Sequence, residues 1–590
     1  MPHGCLPQQG LWLDSLSAKE RLGLPASTVL LTMFGFLEGY KGHDVAVRAL
    51  ARMPERFQLA ICGGPHPESP RRRISLGAGG YTNLRRRPSG VSPMPKLIPC
   101  PLFIGGEWIT VSGVPTTPVH NPSVGEVIAE TPMCGADVID QAVQAAAKAF
   151  PTWMETPPVE RARILFRLKV LLEDHFDELA RSVTTEHGKT LAEARGDVRR
   201  GLENIEFACG APSLLMGESA ENIARGIDCD SIRQPLGVVA GITPFNFPAM
   251  VPLWMWPIAI ACGNTFVLKP SEKVPLTTNR IAELAKQAGL PPGVLNVVHG
   301  GRDAVTAILE HPIVKAISFV GSTPIAREIH RIGTLHGKRV QAAGGAKNFV
   351  LVMPDADVTH SATGILEAAF GCAGERCMAG STAVAIGKAA DTVLPQLVDI
   401  VSKIRVGPTD RDPEAQMGAV ITRQHADRVC DLISQAAGQG AKPLTDGRTT
   451  KVASAPGGFF VGPTVLDHVQ PDMITMQEEV FGPVLNVVRM DDLDAAIQLA
   501  NTSAYGNGAA IFTRSGKAAR EFRHRVQAGM VGINIGVPAP MAFFPFSGWH
   551  ASFFGDLHLQ GRESVAFYTQ QKVTTTRWFS YGEGSIWADR

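Results

Sequence analysis

The stretch FGCAGERCMAGST, residues 370–382, places Cys377 directly after an arginine and among small residues. A thiolate is a strong nucleophile, and the pKa of a thiol, about 8.5 when unperturbed, falls beside a cation or oriented backbone amides. Arg376 is such a cation by adjacency, so we expect it to activate Cys377, and the small neighbours leave room for a substrate. A buried structural role is the common alternative for a free thiol. We expect that role for Cys372 in the same stretch.

The elements that must position this thiol read as a parallel α/β fold. From Pro101 onward, apolar runs such as VLNVVHG and AISFVGS end in or near glycine, and each is followed by a helical pattern. Sheets of this kind bind ligands at the carboxyl ends of their strands. Because no GxGxxG follows a strand, the usual dinucleotide fingerprint is absent and a cofactor site must lie elsewhere.

The uncharged stretch Gly237–Leu268 is long enough to cross a bilayer. Four prolines interrupt it, and each would cost a helix interior about 3 kcal/mol or more. We therefore predict a buried strand, a loop, a short helix and a second strand here.

Composition favours an enzyme that acts on small molecules. The chain has 590 residues, of which 45% are hydrophobic, so it can bury several domain cores. Its 56 Lys and Arg against 55 Asp and Glu leave no overall field that would hold nucleic acid or an anionic membrane. Its ten cysteines form no CxxC pair and no cluster at zinc spacing, which argues against a disulfide framework or a structural metal. Without a recognisable secretory signal, we expect a cytoplasmic enzyme.

Residues 1–93 differ in character from the rest. Pro67–Lys96 is rich in Arg, Pro, Gly and Ser, as a linker is. Upstream, VLLTMFGFLEGYKGHDVAVRALARMPERFQLAICGG reads as a βαβ unit and resembles a fragment of a group 1 (GT-B) glycosyltransferase. One such unit buries too little surface to be a domain, so we predict an inactive extension, with Met94 as a plausible start of the enzyme. A bifunctional glycosyltransferase fusion is the alternative.

Five motifs follow one another downstream: PFNFP, LKPSEKVP, FVGST, GERCMAGST and EEVFGP. Their order and intervals, over about residues 100–575, resemble the aldehyde dehydrogenase superfamily. Within it, AGERCMA, GGAKN and the ending FFPFSGWHASFFGDLHLQGRESVAFYTQQK look like the CoA-acylating methylmalonate-semialdehyde dehydrogenases. The resemblance implies NAD-dependent oxidation of methylmalonate or malonate semialdehyde. It also implies decarboxylation, giving propionyl-CoA or acetyl-CoA.

The resemblance assigns the catalytic residues. Attack by Cys377 on the aldehyde would give a thiohemiacetal, whose oxyanion the Asn246 side-chain amide and the Cys377 backbone N–H would stabilise. Hydride would then pass to NAD and leave a thioester.

The resemblance also implies an NAD site. Lys269 and Glu272 would bind the adenosine ribose and Glu479 the nicotinamide ribose. A carboxylate at position 272 suits a free 2′-hydroxyl, so NAD is expected rather than NADP. Ser322 opens a helix whose N-terminus would face the pyrophosphate. Further contacts are assigned to Thr243, Phe245, Lys273 and Phe481. Taken alone, Lys269 and Glu272 could be an ordinary surface pair.

One departure from the superfamily points to the acyl acceptor. Hydrolytic members carry a glutamate, the general base for water, four residues before the lysine of a G-G-K turn. Counting back from Lys347 in QAAGGAKN reaches Ala343. Water is a poor nucleophile without a base, whereas a thiol supplies some thiolate unaided, so we expect coenzyme A as co-substrate. A hydrolytic semialdehyde dehydrogenase that releases a free acid is the alternative.

Two arginines are implied for the substrate carboxylate, because arginine binds carboxylates in a planar, bidentate way. These are Arg376 and Arg200, with Arg199 as an alternative to the second. Ordinary solvated helix arginines are the competing interpretation.

We expect a three-part α/β subunit of the aldehyde dehydrogenase type. A Rossmann-like NAD-binding domain would span 94–215 and 234–345, and an α/β catalytic domain 346–549. A β-arm and tail over 216–233 and 550–590 would include the strand SVAFYTQQKVTT. An edge strand this apolar is best covered by a partner chain, so we expect a homo-oligomer, and the resemblance implies a homotetramer. A non-enzymatic binding role on a retained fold is a further alternative, against which the complete set of site residues speaks.

Overall fold

The computed structural model describes residues 29–34, 57–62 and 97–579. The chain divides into two units, Met1–Pro93 and Met94–Arg590. In the first unit, β1 (Val29–Phe34) and β2 (Phe57–Cys62) pair in parallel, with Val29 opposite Phe57. These are the two strands of the predicted βαβ unit. The helix predicted between them and the whole basic linker, Pro67–Lys96, lie outside the described residues.

The second unit alternates strands and helices. Its strands are β3 (Leu102–Ile104), β4 (Glu107–Ile109), β5 (Thr116–Asn121), β6 (Glu126–Pro132), β7 (Ser219–Ala224), β8 (Ile227–Pro235), β9 (Val238–Ile242), β10 (Thr265–Lys269), β11 (Leu295–Val297), β12 (Val314–Val320), β13 (Arg339–Ala343), β14 (Phe349–Val352), β15 (Thr382–Ile386), β16 (Lys442–Thr445), β17 (Thr464–Asp467), β18 (Val484–Met490), β19 (Tyr505–Gly506), β20 (Gly508–Phe512), β21 (Met530–Ile533), β22 (Trp549–His550), β23 (Phe553–Phe554) and β24 (Thr569–Arg577).

Its helices include two short 3₁₀ segments, Gly371–Gly374 and Gly447–Thr449. The α-helices are α1 (Ala136–Glu155), α2 (Pro158–Asp174), α3 (Phe176–His187), α4 (Leu191–Cys209), α5 (Ala211–Leu214), α6 (Met250–Ala261), α7 (Pro275–Gln287), α8 (Arg302–Glu310), α9 (Thr323–Leu335), α10 (Val358–Phe370), α11 (Ala389–Ser402), α12 (Arg423–Gly438), α13 (Ile474–Gln477), α14 (Leu493–Asn501), α15 (Gly516–Arg525) and α16 (Gly561–Tyr568).

An eight-stranded sheet has the order β23-β13-β12-β9-β10-β11-β3-β4. Its five central strands, β9 to β13, pair in parallel, so their carboxyl ends meet at one edge. Strand order reverses between β9 and β12, with β10 and β11 on one side and β13 on the other. Such a reversal opens a crevice at the carboxyl edge, which is where sheets of this kind bind ligands.

The uncharged stretch 237–268 folds as its prolines predicted. It forms the buried strand β9, the helix α6, and the start of the buried strand β10. Every residue of α6 is buried, and Pro257 lies inside the helix, so this helix is apolar on all faces because protein surrounds it. Among the described helices, none combines the length and the apolar character that a bilayer crossing requires.

A second sheet has the order β16-β17-β18-β15-β14-β20-β21. All its pairs are parallel except that of the edge strand β16 with β17. Its strands and the helices on both faces share one hydrophobic core, with Leu351, Val384 and Ile511 at its centre. The amino ends of β14, β15, β18 and β20 therefore lie at one edge, and the loops that enter these strands are brought together there.

The predicted arm corresponds in part to a third sheet, β24-β8-β7, which is antiparallel. The sequence prediction of a strand from Ser564 was wrong for residues 564–568, which belong to α16. These residues include Phe567 and Tyr568, which are buried against the first sheet's core, so packing overrides their strand propensity. Phe553–Phe554, also within the span predicted for the arm, pairs instead with β13. The domain bounds stay a prediction, as does the assembly.

Candidate active site

The predicted site residues gather between the carboxyl edge of the first sheet and the amino edge of the second. Asn246 follows β9, Lys269 ends β10, and Ser322 follows β12. Cys377 precedes β15, and Glu479 precedes β18. Cys377 and Glu479 line one cavity, together with Phe481 and with small residues of both loops. The structure thus brings the predicted nucleophile next to the residue predicted to hold the nicotinamide ribose.

The turn that leads to Cys377 has an unusual backbone. Cys372 has φ 52° and ψ 36°, and Ala373 has φ 51° and ψ 33°, a left-handed conformation that costs roughly 1–2 kcal/mol for each residue with a Cβ. Gly374 follows at φ +74°, where a Cβ would also clash with the Gly482 carbonyl oxygen. Strain of this kind persists only where the surroundings enforce it, and it concentrates at functional sites.

Two asparagines that the sequence analysis did not assign hold the nucleophile's own peptide. The Nδ2 atoms of Asn348 and Asn507 each donate to the Cys377 carbonyl oxygen at 2.9 Å. Asn348 Oδ1 in turn accepts from the Gly508 N–H at 2.9 Å. Asn348 belongs to the GGAKN motif, which could have drawn attention to it, whereas Asn507 lies in no motif that we recognised. Together they fix the carbonyl that follows the nucleophilic side chain.

Asn246 links the two sheets at the nucleophile. Its Nδ2 donates to the Glu375 carbonyl oxygen at 3.1 Å, two residues before Cys377. Its own carbonyl accepts from Lys189 Nζ at 2.6 Å, and Lys189 also contacts Asp197 at 3.2 Å. Asn246, Lys189 and Asp197 are all buried. The amide is therefore rigidly held beside the Cys377 loop, although its predicted oxyanion role stays a prediction.

Arg376 acts to lower the pKa of the Cys377 thiol, as expected, but the net pKa is raised, so the predicted activation of the thiol is contradicted. The thiol is only partly exposed, and burial raises its pKa to about 12, with a further rise from the charge of Glu479. The backbone N–H groups of Cys377 and Met378 oppose the rise, and Arg376 opposes it more weakly. Adjacency in sequence did not translate into a dominant charge effect, because desolvation outweighs it.

Arg376 is directed at other partners. Its Nε donates to Cys372 Sγ at 3.3 Å, its Nη1 to the Glu367 carbonyl at 3.4 Å, and its Nη2 to Glu193 Oε1 at 3.3 Å. All three guanidinium nitrogens thus already have protein acceptors.

The second predicted arginine is also engaged. Arg200 Nη1 donates to Glu203 Oε2 and lies against Met541 Sδ, both at 2.9 Å. The alternative, Arg199, stacks on the ring of Phe176 at 4.9 Å. The structure does not show these guanidinium groups together beside Cys377, so a carboxylate-binding role stays a prediction.

The residues predicted for the adenosine ribose form a mostly buried pair. Lys269 Nζ lies 3.2 Å from Glu272 Oε2, and Lys269 is only 5% exposed, which does not fit an ordinary surface pair. Burial acts to raise the pKa of Glu272, but the charges of Lys269 and Lys273 together with hydrogen bonds to the carboxylate outweigh it, and the pKa is lowered. Glu272 is thus held as a carboxylate that can accept hydrogen bonds from ribose hydroxyls.

Unpaired polar atoms lie at the ends of the neighbouring strands. Thr243 Oγ1, after β9, and both ring nitrogens of His299, after β11, are buried without a hydrogen-bond partner among the described residues. Burial and the charge of Lys269 lower the pKa of His299 to about 4, so its ring is neutral. Buried polar groups are normally paired, and orphaned groups at a carboxyl edge fit a site that a polar cofactor completes.

The remaining predicted cofactor contacts form an aromatic cluster at the cavity. Phe245 lies edge-to-face with Phe481 at 5.8 Å, and Lys273 Nζ lies 5.0 Å from the Phe245 ring centroid. The backbone of Phe481 is itself left-handed, at φ 56°.

Ser322 caps the thirteen-residue helix α9 without a side-chain capping bond, so its hydroxyl is not committed to the helix.

Glu479 is anchored by the loop that follows β13. Its Oε1 accepts from the Ala346 N–H at 2.9 Å, and burial raises its pKa to about 7. Lys347 of the same loop donates to the carbonyl oxygens of Thr475 at 2.7 Å and Glu478 at 2.5 Å. The lysine of the GGAK turn therefore positions the segment that carries Glu479.

Ala343 occupies an apolar environment. It is 4% exposed and belongs to the hydrophobic cluster that contains Met378 and Phe553 and that Cys377 packs against. At position 343, where the resemblance implies that hydrolytic members carry their base, the chain thus presents a methyl group.

A buried acid beneath the nucleophile was not foreseen. Glu375 is fully buried, and its Oε1 accepts from the Ile421 N–H at 3.1 Å. Two histidine rings approach it, His187 at 3.8 Å and His425 at 3.7 Å. Its Oε2 has no hydrogen-bond partner among the described residues, and burial raises the pKa of this carboxyl to about 8. Glu375 lies two residues before Cys377 in the motif, but its burial depends on the tertiary fold and could not be predicted from the sequence.

Glu375 gives a test by pH. Its carboxyl stays protonated to about pH 8 in the folded protein but ionises near 4.5 when unperturbed, so between these values the folded state binds one proton more. The stability from this group is complete below pH 4.5 and is lost as pH rises through 8. In Glu375→Gln, thermal unfolding scans should therefore show a smaller fall in the free energy of unfolding from pH 5 to 8, by up to about 1.4 kcal/mol per pH unit. Glu206→Gln, a surface change, is the control. Identical pH profiles for Glu375→Gln and the wild type would contradict a buried neutral acid.

Comparison with known proteins agrees with this geometry. The aldehyde dehydrogenase family model matches residues 108–574. Malonate-semialdehyde dehydrogenase 2 of Geobacillus kaustophilus (strain HTA426) is 52% identical over 476 residues, which cover 81% of this chain and 98% of that protein. Malonate-semialdehyde dehydrogenase of Halalkalibacterium halodurans is 51% identical with the same coverage.

Solved structures give the same relationship. The crystal structure of methylmalonate-semialdehyde dehydrogenase from Oceanimonas doudoroffii matches with a TM-score of 0.80 and 52% identity, covering 81% of this chain and 98% of that one. A Sinorhizobium meliloti 1021 protein crystallised as a complex with NAD matches with a TM-score of 0.80 and 46% identity, with the same coverage. The fold, the order of the motifs and the paired position of Cys377 and Glu479 have the same explanation: the chain belongs to the aldehyde dehydrogenase family.

Proposed function

We propose that the chain catalyses the NAD-dependent, CoA-acylating oxidation of methylmalonate semialdehyde and malonate semialdehyde, with decarboxylation to propionyl-CoA and acetyl-CoA. The observation that carries the proposal is the shared cavity of Cys377 and Glu479, with Ala343 where a water-activating base would stand. The names of the relatives, at 50–52% identity, support the same substrate class.

The first step is attack of the Cys377 sulfur on the aldehyde carbon. The thiol passes its proton to solvent water, and the N–H groups of Cys377 and Met378 stabilise the thiolate that remains. The carbonyl oxygen becomes an oxyanion in the thiohemiacetal, where the Asn246 amide and the Cys377 N–H would donate to it. Bonds from both sheets hold these donors before substrate arrives, so little reorganisation is needed.

Residues of the carboxyl edge would hold NAD, which supplies the hydride acceptor when bound. Lys269 and Glu272 suit the adenosine ribose, and the α9 N-terminus at Ser322 suits the pyrophosphate. Glu479 and Phe481 would fix the nicotinamide end against Cys377. Further support comes from the buried Thr243 hydroxyl, which has no hydrogen-bond partner among the described residues.

The thioester on Cys377 must then be transferred. An apolar Ala343 offers no base to water, whereas the CoA thiol can ionise in solution. CoA attack on the thioester carbonyl releases the Cys377 thiolate and gives the acyl-CoA. Before that attack, a β-carboxylated acyl group loses CO₂, and the thioester carbonyl accepts the electron pair of the broken bond as an enolate. The enolate then takes up a proton from water at its α-carbon, which gives the propionyl or acetyl thioester.

The substrate carboxylate requires a cationic partner, for which we propose Arg376 and Arg200. Each now has a glutamate partner, Glu193 and Glu203. A substrate carboxylate would have to share or replace these partners, which is feasible for an arginine because it has five N–H donors.

Assembly is a separate proposal. We propose a homotetramer in which the sheet β24-β8-β7 pairs with a partner chain. Support comes from its exposed apolar side chains, which include Ile223, Ile232 and Val573 at 56%, 43% and 62% exposure. The three-part division of the subunit is proposed on the basis of the eight-, seven- and three-stranded sheets.

The acyl acceptor can be tested by rapid mixing. Without CoA, the wild type should release a burst of NADH of about one equivalent per active site and then slow to a small fraction of its rate, because the acyl group stays on Cys377. CoA should restore turnover. Cys377→Ala should show neither phase, and Cys430→Ala, in which a cysteine of α12 is changed, should behave as the wild type. Sustained release of free acid that CoA leaves unchanged would favour the hydrolytic alternative and reject the acylating one.

The arginine proposal is tested by comparing aldehydes. Arg376→Leu or Arg200→Leu should lower kcat/KM for methylmalonate semialdehyde by roughly tenfold to a hundredfold more than for propanal, since a charge-assisted pair contributes about 1.5–3 kcal/mol. The uncharged aldehyde is the internal control in each variant. Equal losses with both aldehydes would assign these arginines to folding or to the nucleophile loop.

A further inference from the structure

One carboxylate joins helix α4 to the turn before the nucleophile. Glu193 is the third residue of α4, and its Oε2 accepts from the backbone N–H and the hydroxyl of Thr190, both at 2.9 Å. The Glu193 N–H donates back to Thr190 Oγ1 at 3.2 Å, which completes a capping box. These contacts with Thr190 explain why helix α4 begins where it does.

The other oxygen of Glu193 has a different task. Its Oε1 accepts from the Cys372 N–H at 2.6 Å and from Arg376 Nη2 at 3.3 Å. Cys372 is the first of the three left-handed residues, and Arg376 immediately precedes the nucleophile. Glu193 thus contacts both ends of the turn, from a position 179 residues away in sequence from Cys372.

We propose that Glu193 is a positioning residue that holds the left-handed turn and the Arg376 side chain in place, and thereby sets the orientation and the charge environment of Cys377. The inference rests on the proposed role of Cys377 as nucleophile. A helix cap needs only the Oε2 contacts, so the Oε1 contacts are free to serve the site. Carboxylate oxygens bound by backbone N–H groups and arginine form strong, directional bonds.

Helix α4 makes a second set of contacts with the site. Asp197, one turn further along, accepts from the Met250 N–H at 2.7 Å and contacts Lys189. Lys189 in turn holds the carbonyl of Asn246. The same helix therefore fixes both the turn that carries Cys377 and the amide proposed for the oxyanion.

Three variants separate the two tasks of Glu193. Glu193→Gln removes the charge and cannot satisfy all four donors. Glu193→Asp keeps the charge but shortens the reach towards Cys372. Thr190→Ala removes the side-chain cap and leaves the Oε1 contacts. Glu206→Gln, a surface glutamate later on α4 paired with Lys169, controls for a charge change on the same helix.

Two readouts are required besides thermal unfolding. The first is kcat with KM for NAD, and the second is the pH midpoint of Cys377 alkylation by iodoacetamide, measured on the Cys377 peptide by mass spectrometry. Glu193→Gln should lower kcat about tenfold with little change in KM for NAD, and should move the midpoint to lower pH because Arg376 loses its counter-charge. Glu193→Asp should lower kcat with the midpoint nearer to that of the wild type. Thr190→Ala should lower the unfolding temperature alone.

The proposal is overturned if Glu193→Gln and Glu193→Asp keep the wild-type kcat and midpoint, or if Thr190→Ala reproduces their effects. Should Glu193→Gln not fold, the comparison of Glu193→Asp with Thr190→Ala decides. Turnover by Cys377→Ala would instead reject the proposed function. In that case the alkylation midpoint of Cys377 still reports whether Glu193 positions the thiol.

Discussion

The left-handed turn at Cys372 and Ala373 is the constraint on which the site depends. Neither residue is a glycine, so the conformation costs free energy that other contacts must offset. Glu193 binds the turn at its start, Asn246 binds the Glu375 carbonyl, and Asn348 and Asn507 bind the Cys377 carbonyl. These contacts come from both sheets and from α4, so the nucleophile is positioned by the whole second unit rather than by its own loop.

Opposed sheet edges explain why such contacts meet. The first sheet presents the carboxyl ends of its strands, and the second presents the amino ends of β14, β15, β18 and β20. The loops after β9 and β13 therefore contact the loops before β15 and β18, and the burial that results has an electrostatic consequence. Burial, more than any single neighbour, raises the pKa values of Cys377, Glu479 and Glu375. A site that excludes water in this way favours neutral side chains at rest, and donors that are already in place favour the charge that develops during reaction.

The sequence predicted what depends on local spacing. The prolines of 237–268 predicted a strand, a helix and a strand, and the resemblance to the aldehyde dehydrogenases grouped Lys269 with Glu272, which form an ion pair. Contacts between segments distant in sequence could not be predicted. Asn507 lies 130 residues from Cys377, to which it donates, and Glu193 lies 179 residues from Cys372, from which it accepts. Arg376 acts in the predicted direction on the Cys377 pKa, but the predicted activation was wrong because the burial that raises this pKa depends on tertiary packing. The residues 564–568 have strand propensity, yet tertiary packing makes them helical.

The central claim is that Cys377 carries the acyl group and that CoA removes it. Enzyme mixed with NAD and methylmalonate semialdehyde, quenched in acid without CoA and digested, can be analysed by peptide mass spectrometry. The account predicts a propionyl thioester on the peptide that contains Cys377, and its loss when CoA is added before the quench. An unmodified Cys377 during turnover, or an acyl group on another cysteine, would contradict the account.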